Sequence, residues 1–293
     1  MNQNENSAKS ARKEHRAQLW HQFKKNKGAV VGLIVFILIV IIAIVSNFAF
    51  DYDTQIIGMK ASQRLLKPSM EHLFGTDQLG RDVFARVCYG AKYSLLIGIL
   101  ATLISLCVGS LIGAFAGYMG GMVEEVIMRV VELLLMIPNI LITVLIVYCL
   151  GASIPNLILA LGLGTVPHFA RNARAAVITV RDNEYIEAAR SSGAGAATIL
   201  FKHVLPNALS PILVQVTSRV AGCIIDAAGF SFLGLGVPAP LPEWGAMLSD
   251  ARQYMREYAY LLMAPGLAIM ITVLSINLIG DGFRDALDPK LKR

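Results

Sequence analysis

Apolar residues in this chain come in long unbroken runs rather than in the short periodic stripes of a water-facing helix or strand. No charged residue occurs from Gly28 to Phe50, from Tyr93 to Val123, from Leu133 to Ala170 or from Tyr258 to Gly280. A further run from about Ala208 to Leu235 is interrupted only by Arg219 and Asp226. A bilayer core about 30 Å thick needs about 20 apolar helical residues, so each run is long enough to cross it. The Leu133–Ala170 run is too long for one crossing. Gly and Pro in the GASIPN stretch, Gly151 to Asn156, are expected to divide it in two. The pattern predicts an all-α integral membrane protein with six transmembrane helices and both termini on one side. Residues 1–92 would form a basic N-terminus, the first span and an outer loop. Residues 93–293 would form a core of five spans with an inner loop at 184–207.

Composition strengthens this reading. Hydrophobic residues make up 55% of the 293 residues and charged residues 16%, against about 25% charged in soluble domains. The mean hydropathy is +0.59. The first run is too long for a signal-peptide core of about 7–15 residues, so it is expected to remain as a span. The net charge of +6 suits cytoplasmic basic loops, and no aromatic-basic nucleic-acid module accompanies it. With the N-terminus inside, 17 Lys and Arg fall in inner segments and 8 in outer ones, with Arg219 inside a span. This bias predicts N-in and C-in. Cys88, Cys107, Cys149 and Cys223 are widely spaced and form no CxxC, so neither a disulfide framework nor a metal site is indicated.

Both large loops carry local signals. In the outer loop, GTDQLGRDVFARVCYG is expected to start a short amphipathic helix capped by Thr76 or Asp77. Leu79, Val83 and Val87 would share one face, and Asp82 and Arg86 would pair at i,i+4 on the other. Such a helix would lie on the membrane or the protein, or serve in docking. In the inner loop, Glu187, Ala188 and Ala189 favour helix and Gly193 and Gly195 permit a break. Ala196 to Val204 can then resume the helix, with Pro206 interrupting the chain before the fifth span. The result is a projecting helix-turn-helix with small exposed residues, suited to close approach by another protein. Arg129 and Glu132 are expected to pair at the membrane surface, and Pro138 and Pro265 to kink their helices.

The inner loop resembles the signature of binding-protein-dependent importer permeases. Glu187-Ala188-Ala189, the Gly193-Ala194 turn, and Leu205-Pro206 match its EAA, Gly and Leu-Pro positions. His203 is similar to the peptide and nickel branch, as are GTDQLGRD (Gly75 to Asp82), YGAKYSL (Tyr89 to Leu95), FLGLG (Phe232 to Gly236) and PEWGAML (Pro242 to Leu248). The resemblance runs to the DALDPKLKR tail, with small departures such as Ala85 and Lys92. It implies a type I ABC importer permease fold, of the C-type subunit of dipeptide, oligopeptide or nickel importers, in a bacterial cytoplasmic membrane. It further implies that the 184–207 loop supplies a coupling helix to a cytoplasmic ATPase. The implied partners are a second homologous permease, two ABC ATPases and an extracytoplasmic solute-binding protein. ATP and Mg would be used by the ATPases, and this chain would bind no cofactor. Consistent with that, the chain has no GxxxxGK[ST] motif.

Two other function classes compete. A secondary transporter would show internal repeats and ionisable residues at mid-depth, and only Arg219 and Asp226 qualify. An intramembrane enzyme would need a catalytic constellation. His168 and His203 occur without an HExxH or GxSxG motif. Arg219 and Asp226 are seven residues apart, about 10.5 Å along a helix. That separation predicts a separate partner for each, and either a pathway-facing role or a polar pair buried between helices.

Overall fold

The computed structural model describes residues 20–287. The basic residues before 20 and the tail after 287, both part of the sequence expectations, lie outside the described residues. Among the described residues the regular structure is helical. The main helices are α1 (Lys27–Ala49), α2 (Val83–Met119), α3 (Gly121–Met136), α4 (Asn139–Leu150), α5 (Ile154–Arg181), α6 (Glu184–Ser191), α7 (Leu205–Phe232), α8 (Trp244–Ala251) and α9 (Tyr260–Leu287).

Four helices are long and apolar enough to cross a membrane: α1, α2, α7 from Pro211 onward, and α9. The pair α3 and α4 makes a fifth span if its members are counted together. They meet at an 86° bend, where Pro138 follows the extended Ile137. Pro138 therefore breaks its span rather than merely kinking it, whereas Pro265 lies inside the continuous α9. The expected division near Gly151 is also present: Gly151 has φ +86° and Ser153 caps α5. The remaining expected span, α5, is a 28-residue helix. Asn156, His168, Arg171 and Arg174 lower its apolarity, and it packs against α2, α4 and α7 while Leu159 and Leu163 stay exposed. By contrast α1 is apolar on all sides, and Val31, Ile34, Leu38, Ile41 and Val45 stay exposed, as expected for a lipid-facing helix.

The most intimate contact joins α2 and α5. Gly109, Gly113 and Gly117 recur every fourth residue along one face of α2 and meet the α5 backbone. A Cβ at Gly109 would stand 2.6 Å from the Val166 carbonyl oxygen, and one at Gly113 would overlap the Ala170 carbonyl oxygen. Higher up, Ser105 Oγ donates to the Gly162 carbonyl at 2.7 Å and also contacts the Thr165 hydroxyl. Small residues at such spacing allow helix backbones to approach in lipid, where hydrophobic burial supplies no drive for association.

The outer loop corrects three sequence expectations. Helix α2 starts at Val83, not near Thr76, and its cap is Asp82, which accepts from the Ala85 amide at 2.8 Å. No separate amphipathic helix forms, because this turn is continuous with the second span. The Asp82–Arg86 pair is absent. Asp82 takes His72 Nδ1 at 2.7 Å instead, and Arg86, only 2% exposed, donates to the Ile56 carbonyl at 2.6 Å and lies 3.7 Å from Asp77. A guanidinium this deeply buried must be paired, and the folded-back chain supplies partners that helical spacing cannot. Asp77 also accepts from Arg81 Nε at 2.6 Å. Tyr260 at the head of α9 donates to the Leu66 carbonyl at 2.9 Å, tying this cap to the helix bundle.

Helix α8 completes the outer side. Glu243, 1% exposed, accepts from Ser94 Oγ at 3.0 Å and from the amides of Gly245 and Ala246 at 3.0 and 2.9 Å. Trp244 Nε1 donates to the Val87 carbonyl at 2.9 Å. The expected Arg129–Glu132 pair forms at 3.5 Å on the exposed surface of α3.

These contacts make Gly113 a sensitive position. Gly113→Ala should lower the stability of the detergent-solubilised chain by about 1–3 kcal/mol, because α2 must move away from α5. Gly266→Ala, at a helical site with nothing within 4 Å of the new Cβ, should leave stability unchanged or raise it by about 0.5–1 kcal/mol. Thermal unfolding of both variants checks the contrast.

Candidate functional site

The inner loop is built from the end of α5 outward. Asn183 leaves the helical region at φ −76°, ψ 147°, and α6 begins at Glu184. Glu184 and Glu187 fall in its first turn and Arg190 in its last, the arrangement that suits the helix dipole. Helix α6 ends in a left-handed turn at Gly193, φ +82°. The Ala194 amide donates to the Ala189 carbonyl at 3.1 Å and the Gly193 amide to the Arg190 carbonyl at 3.0 Å. The chain then makes one turn, Ala196–Thr198, and a π-helical stretch, Ile199–Val204, that runs directly into α7. Pro206 does not interrupt the chain, contrary to the sequence expectation. It lies where the π-helical stretch passes into α7, a change of helical register that accommodates a residue without an amide proton.

The two faces of this loop differ sharply. Ile186, Ile199, Leu200 and Val204 are buried, packed with Phe169, Ala173 and Val177 of α5 and Ala208 and Ile212 of α7. Of the residues singled out by the signature, Ala189, Ala194, His203 and Leu205 are half-buried, and Glu187, Ala188, Gly193 and Pro206 are exposed. The outward face carries the small residues Ala188, Ser191, Ser192, Gly193, Gly195, Ala196 and Ala197, together with the exposed Glu184, Glu187, Arg190 and Thr198. Nothing lies within 4 Å of a Cβ placed on Gly193 or Gly195. Tyr185 and Phe201, 45% and 55% exposed, flank this small-residue surface.

Sequence reasoning missed the support behind the loop. Glu124, in the first turn of α3, accepts from Arg174 Nε at 2.5 Å and lies 3.8 Å from Arg181 Nη1. Arg181 also donates to the Gly117 carbonyl, the last close-packed glycine of α2, at 2.6 Å. The end of α5 is thereby tied to α2 and α3. No local spacing could have shown this, since the partners stand 50 or more residues apart. The apolar anchors did have a signal, because Ile199, Leu200 and Val204 interrupt an otherwise small and polar stretch.

Arg219 and Asp226 are brought together, which corrects the expectation of separate partners: Arg219 Nη2 lies 3.3 Å from Asp226 Oδ2. Two helical turns separate the backbones, but the long arginine side chain runs along α7 and closes the gap. Arg219 also lines a cavity of about 880 Å³ with His168 and Asn172 of α5, Gln215 and Ser218 of α7, and Asp281 and Arg284 of α9. Asp226 is not in that lining. His203 lies in the loop and His168 in the cavity lining, and among the described residues no three His, Cys, Asp or Glu side chains assemble into a metal site.

Residues 109–293 match the family described as binding-protein-dependent transport system inner membrane component, and residues 16–68 match the N-terminal transmembrane domain of oligopeptide transport permease C. The chain belongs to this permease family. It is 45% identical over 278 residues to the dipeptide transport system permease protein DppC of Alkalihalophilus pseudofirmus, covering 94% of this chain and 90% of that protein. It is 44% identical over 283 residues to DppC of Escherichia coli K12, covering 94% and 93%. It is 40% identical over 276 residues to the glutathione transport system permease protein GsiD of Pectobacterium atrosepticum, covering 94% and 91%. Among solved structures, the permease fold is shared with the inward-facing MetNI methionine ABC transporter, at TM-score 0.58 and 19% identity over 69% of this chain and 96% of that one. An amino acid ABC transporter gives 0.53 and 17%, over 68% and 92%. This permease is thus a multi-pass protein of the inner membrane with the type I importer fold.

The buried side of the permease loop should be its mechanical foundation. Ile186→Ala removes the one fully buried side chain of α6, at a cost of about 2–5 kcal/mol to loop docking. Limited proteolysis should then cut between residues 182 and 198 faster than in the parent chain, with membrane insertion unchanged.

Proposed function

We propose that this permease forms half of the translocation pathway of an ATP-driven peptide importer. The observation that carries this reading is the two-faced loop, pinned to α5 and α7 by four buried aliphatic residues and open outward over a run of small residues, Ser191 to Gly193 and Gly195 to Ala197, beside the exposed Glu187 and Arg190. A partner backbone can approach such a face closely, and Tyr185 and Phe201 at its margins supply the large contacts on which interfaces concentrate their energy. The partner is a cytoplasmic ATPase, with Glu187, Ala188 and Gly193 at the contact and Ala189, Ala194, His203, Leu205 and Pro206 setting the loop's shape. The relatives' names favour peptides over nickel or another metal chelate as cargo.

In this reading the N- and C-termini face the cytoplasm, in keeping with the Lys and Arg bias. A second homologous permease completes the pathway, two ATPases bind beneath, and a solute-binding protein delivers the peptide from outside. ATP and Mg act on the ATPases, and this chain supplies no catalytic group. ATP binding draws the ATPases together, the loops follow, and α5 and α7 carry the motion to the cavity beside Arg219. Asp226 serves as the counter-charge that makes Arg219 tolerable at that depth.

Two outcomes follow from the docking reading. In the reconstituted importer, Gly193→Trp should abolish peptide uptake while insertion of the permease stays normal, because an indole on the open face blocks the close approach of the ATPase and the left-handed turn strains any side chain. Undiminished uptake would exclude ATPase docking at this loop. The purified chain alone in liposomes should move no peptide, and uptake should appear only on addition of the partner permease, ATPases, solute-binding protein and ATP. Uptake by the single chain would overturn the proposed assembly.

A further inference from the structure

The cavity between α5, α7 and α9 has the chemistry of a binding site rather than of a plain conduit. Gly280, at the end of the charge-free run of α9, packs on Thr217 of α7, and Arg284 lies in the last turn of α9, so the cavity lies beside the C-terminal quarter of α9. Its volume of about 880 Å³ falls within the range of about 300–1,000 Å³ of small-molecule sites. The lining combines two guanidiniums, Arg219 and Arg284, with one carboxylate, Asp281. Between them stand the neutral donors and acceptors of Asn172, Gln215 and Ser218, with Asn172 Nδ2 donating to Gln215 Oε1.

The head group of Arg219 is under-used. Its ion pair is a single contact of 3.3 Å to Asp226, its Nε is buried with no hydrogen-bond partner, and a quarter of the side chain is open. A guanidinium has five donors in a planar fork matched to a carboxylate. Polar groups at this depth are costly unless they meet water or a polar ligand. The amide side chains can meet the peptide group itself, whatever the residues on either side of it. The set as a whole addresses what all short peptides share: a carboxylate, an ammonium and the amide between them.

We infer that this cavity is a peptide site of the permease itself, in which Arg219 receives the free C-terminal carboxylate and Asp281 faces the ammonium end. The inference rests on the importer reading above and adds a second point of selection after the solute-binding protein. Recognition of the termini alone would pass peptides of varied side chains while rejecting blocked ones.

The test uses the assembled complex of both permeases and both ATPases, in detergent, without nucleotide or solute-binding protein. Calorimetry compares alanyl-alanine with its C-terminal amide. Loss of one charge-assisted contact should weaken binding of the amide about tenfold. The double variant Arg219→Gln with Asp226→Asn removes both members of the pair at near-constant volume. It should assemble, as judged by size-exclusion chromatography, and bind the two ligands alike. No measurable binding of alanyl-alanine, equal binding of the two by the parent complex, or a preference retained in the double variant would each overturn the site. Should the double variant fail to assemble, the parent comparison decides alone. ATP-driven uptake by the complete importer separates the two readings: uptake without discrimination in the cavity sinks the site only, and absence of uptake sinks the importer reading.

Discussion

The close approach of α2 and α5 through Gly109, Gly113 and Gly117 is the contact on which the rest of the structure depends. In lipid, two apolar helices gain nothing from hiding from water, so association rests on close packing and polar contacts. Three glycines on one face let the α5 backbone lie against α2 where any Cβ would intrude. On the other side of α5, Arg174 pairs with Glu124 and His168 lines the inner cavity. The α2–α5 contact ends at Gly117, whose carbonyl holds Arg181, and Arg181 immediately precedes the loop that carries α6.

The loop is thus an extension of the most tightly held pair of helices in the permease. Its anchors Ile186, Ile199, Leu200 and Val204 sit on α5 and α7, and Glu124 binds the end of α5 to α3. A force applied to the small outward face has a continuous path of packed side chains and backbone contacts into the helices that line the inner cavity. Flexible attachment would dissipate such a displacement, whereas interlocked packing passes it on as a rigid movement. The left-handed turn at Gly193 and the π-helical entry into α7 give the loop its shape without breaking that path.

The outer side is organised by buried charge. Arg86, Asp77, Arg81 and Glu243 are nearly inaccessible, and their partners come from different parts of the outer loop, α2 and α8. Several blocks that carry the family resemblance have their physical explanation here. In GTDQLGRD, Gly75 and Gly80 take positive φ, Asp77 closes on Arg81, and Asp82 caps α2. In PEWGAML, Glu243 caps α8, Trp244 reaches the Val87 carbonyl, and Gly245 meets Ala228. These positions build the scaffold at one end of the helix bundle, and the EAA loop projects from the other.

Uninterrupted apolar runs determined, by themselves, that the chain crosses a membrane several times, because no soluble fold hides that much apolar surface. The break at Gly151, the helical nature of the inner loop and its small-residue surface were also legible, since each follows from local backbone preference. Local preference marked Pro138 as a kink without giving the 86° bend, and it could not show that Arg86 turns inward to Ile56 and Asp77 or that Pro206 starts α7 rather than ending a segment. Nor could it show that Arg219 reaches Asp226 and shares a cavity with Asp281 and Arg284. Each of those facts depends on which distant segment lies alongside. That choice is made by interhelical packing and by the need of buried charges for partners, and both operate between residues tens of positions apart, where sequence periodicity carries no information.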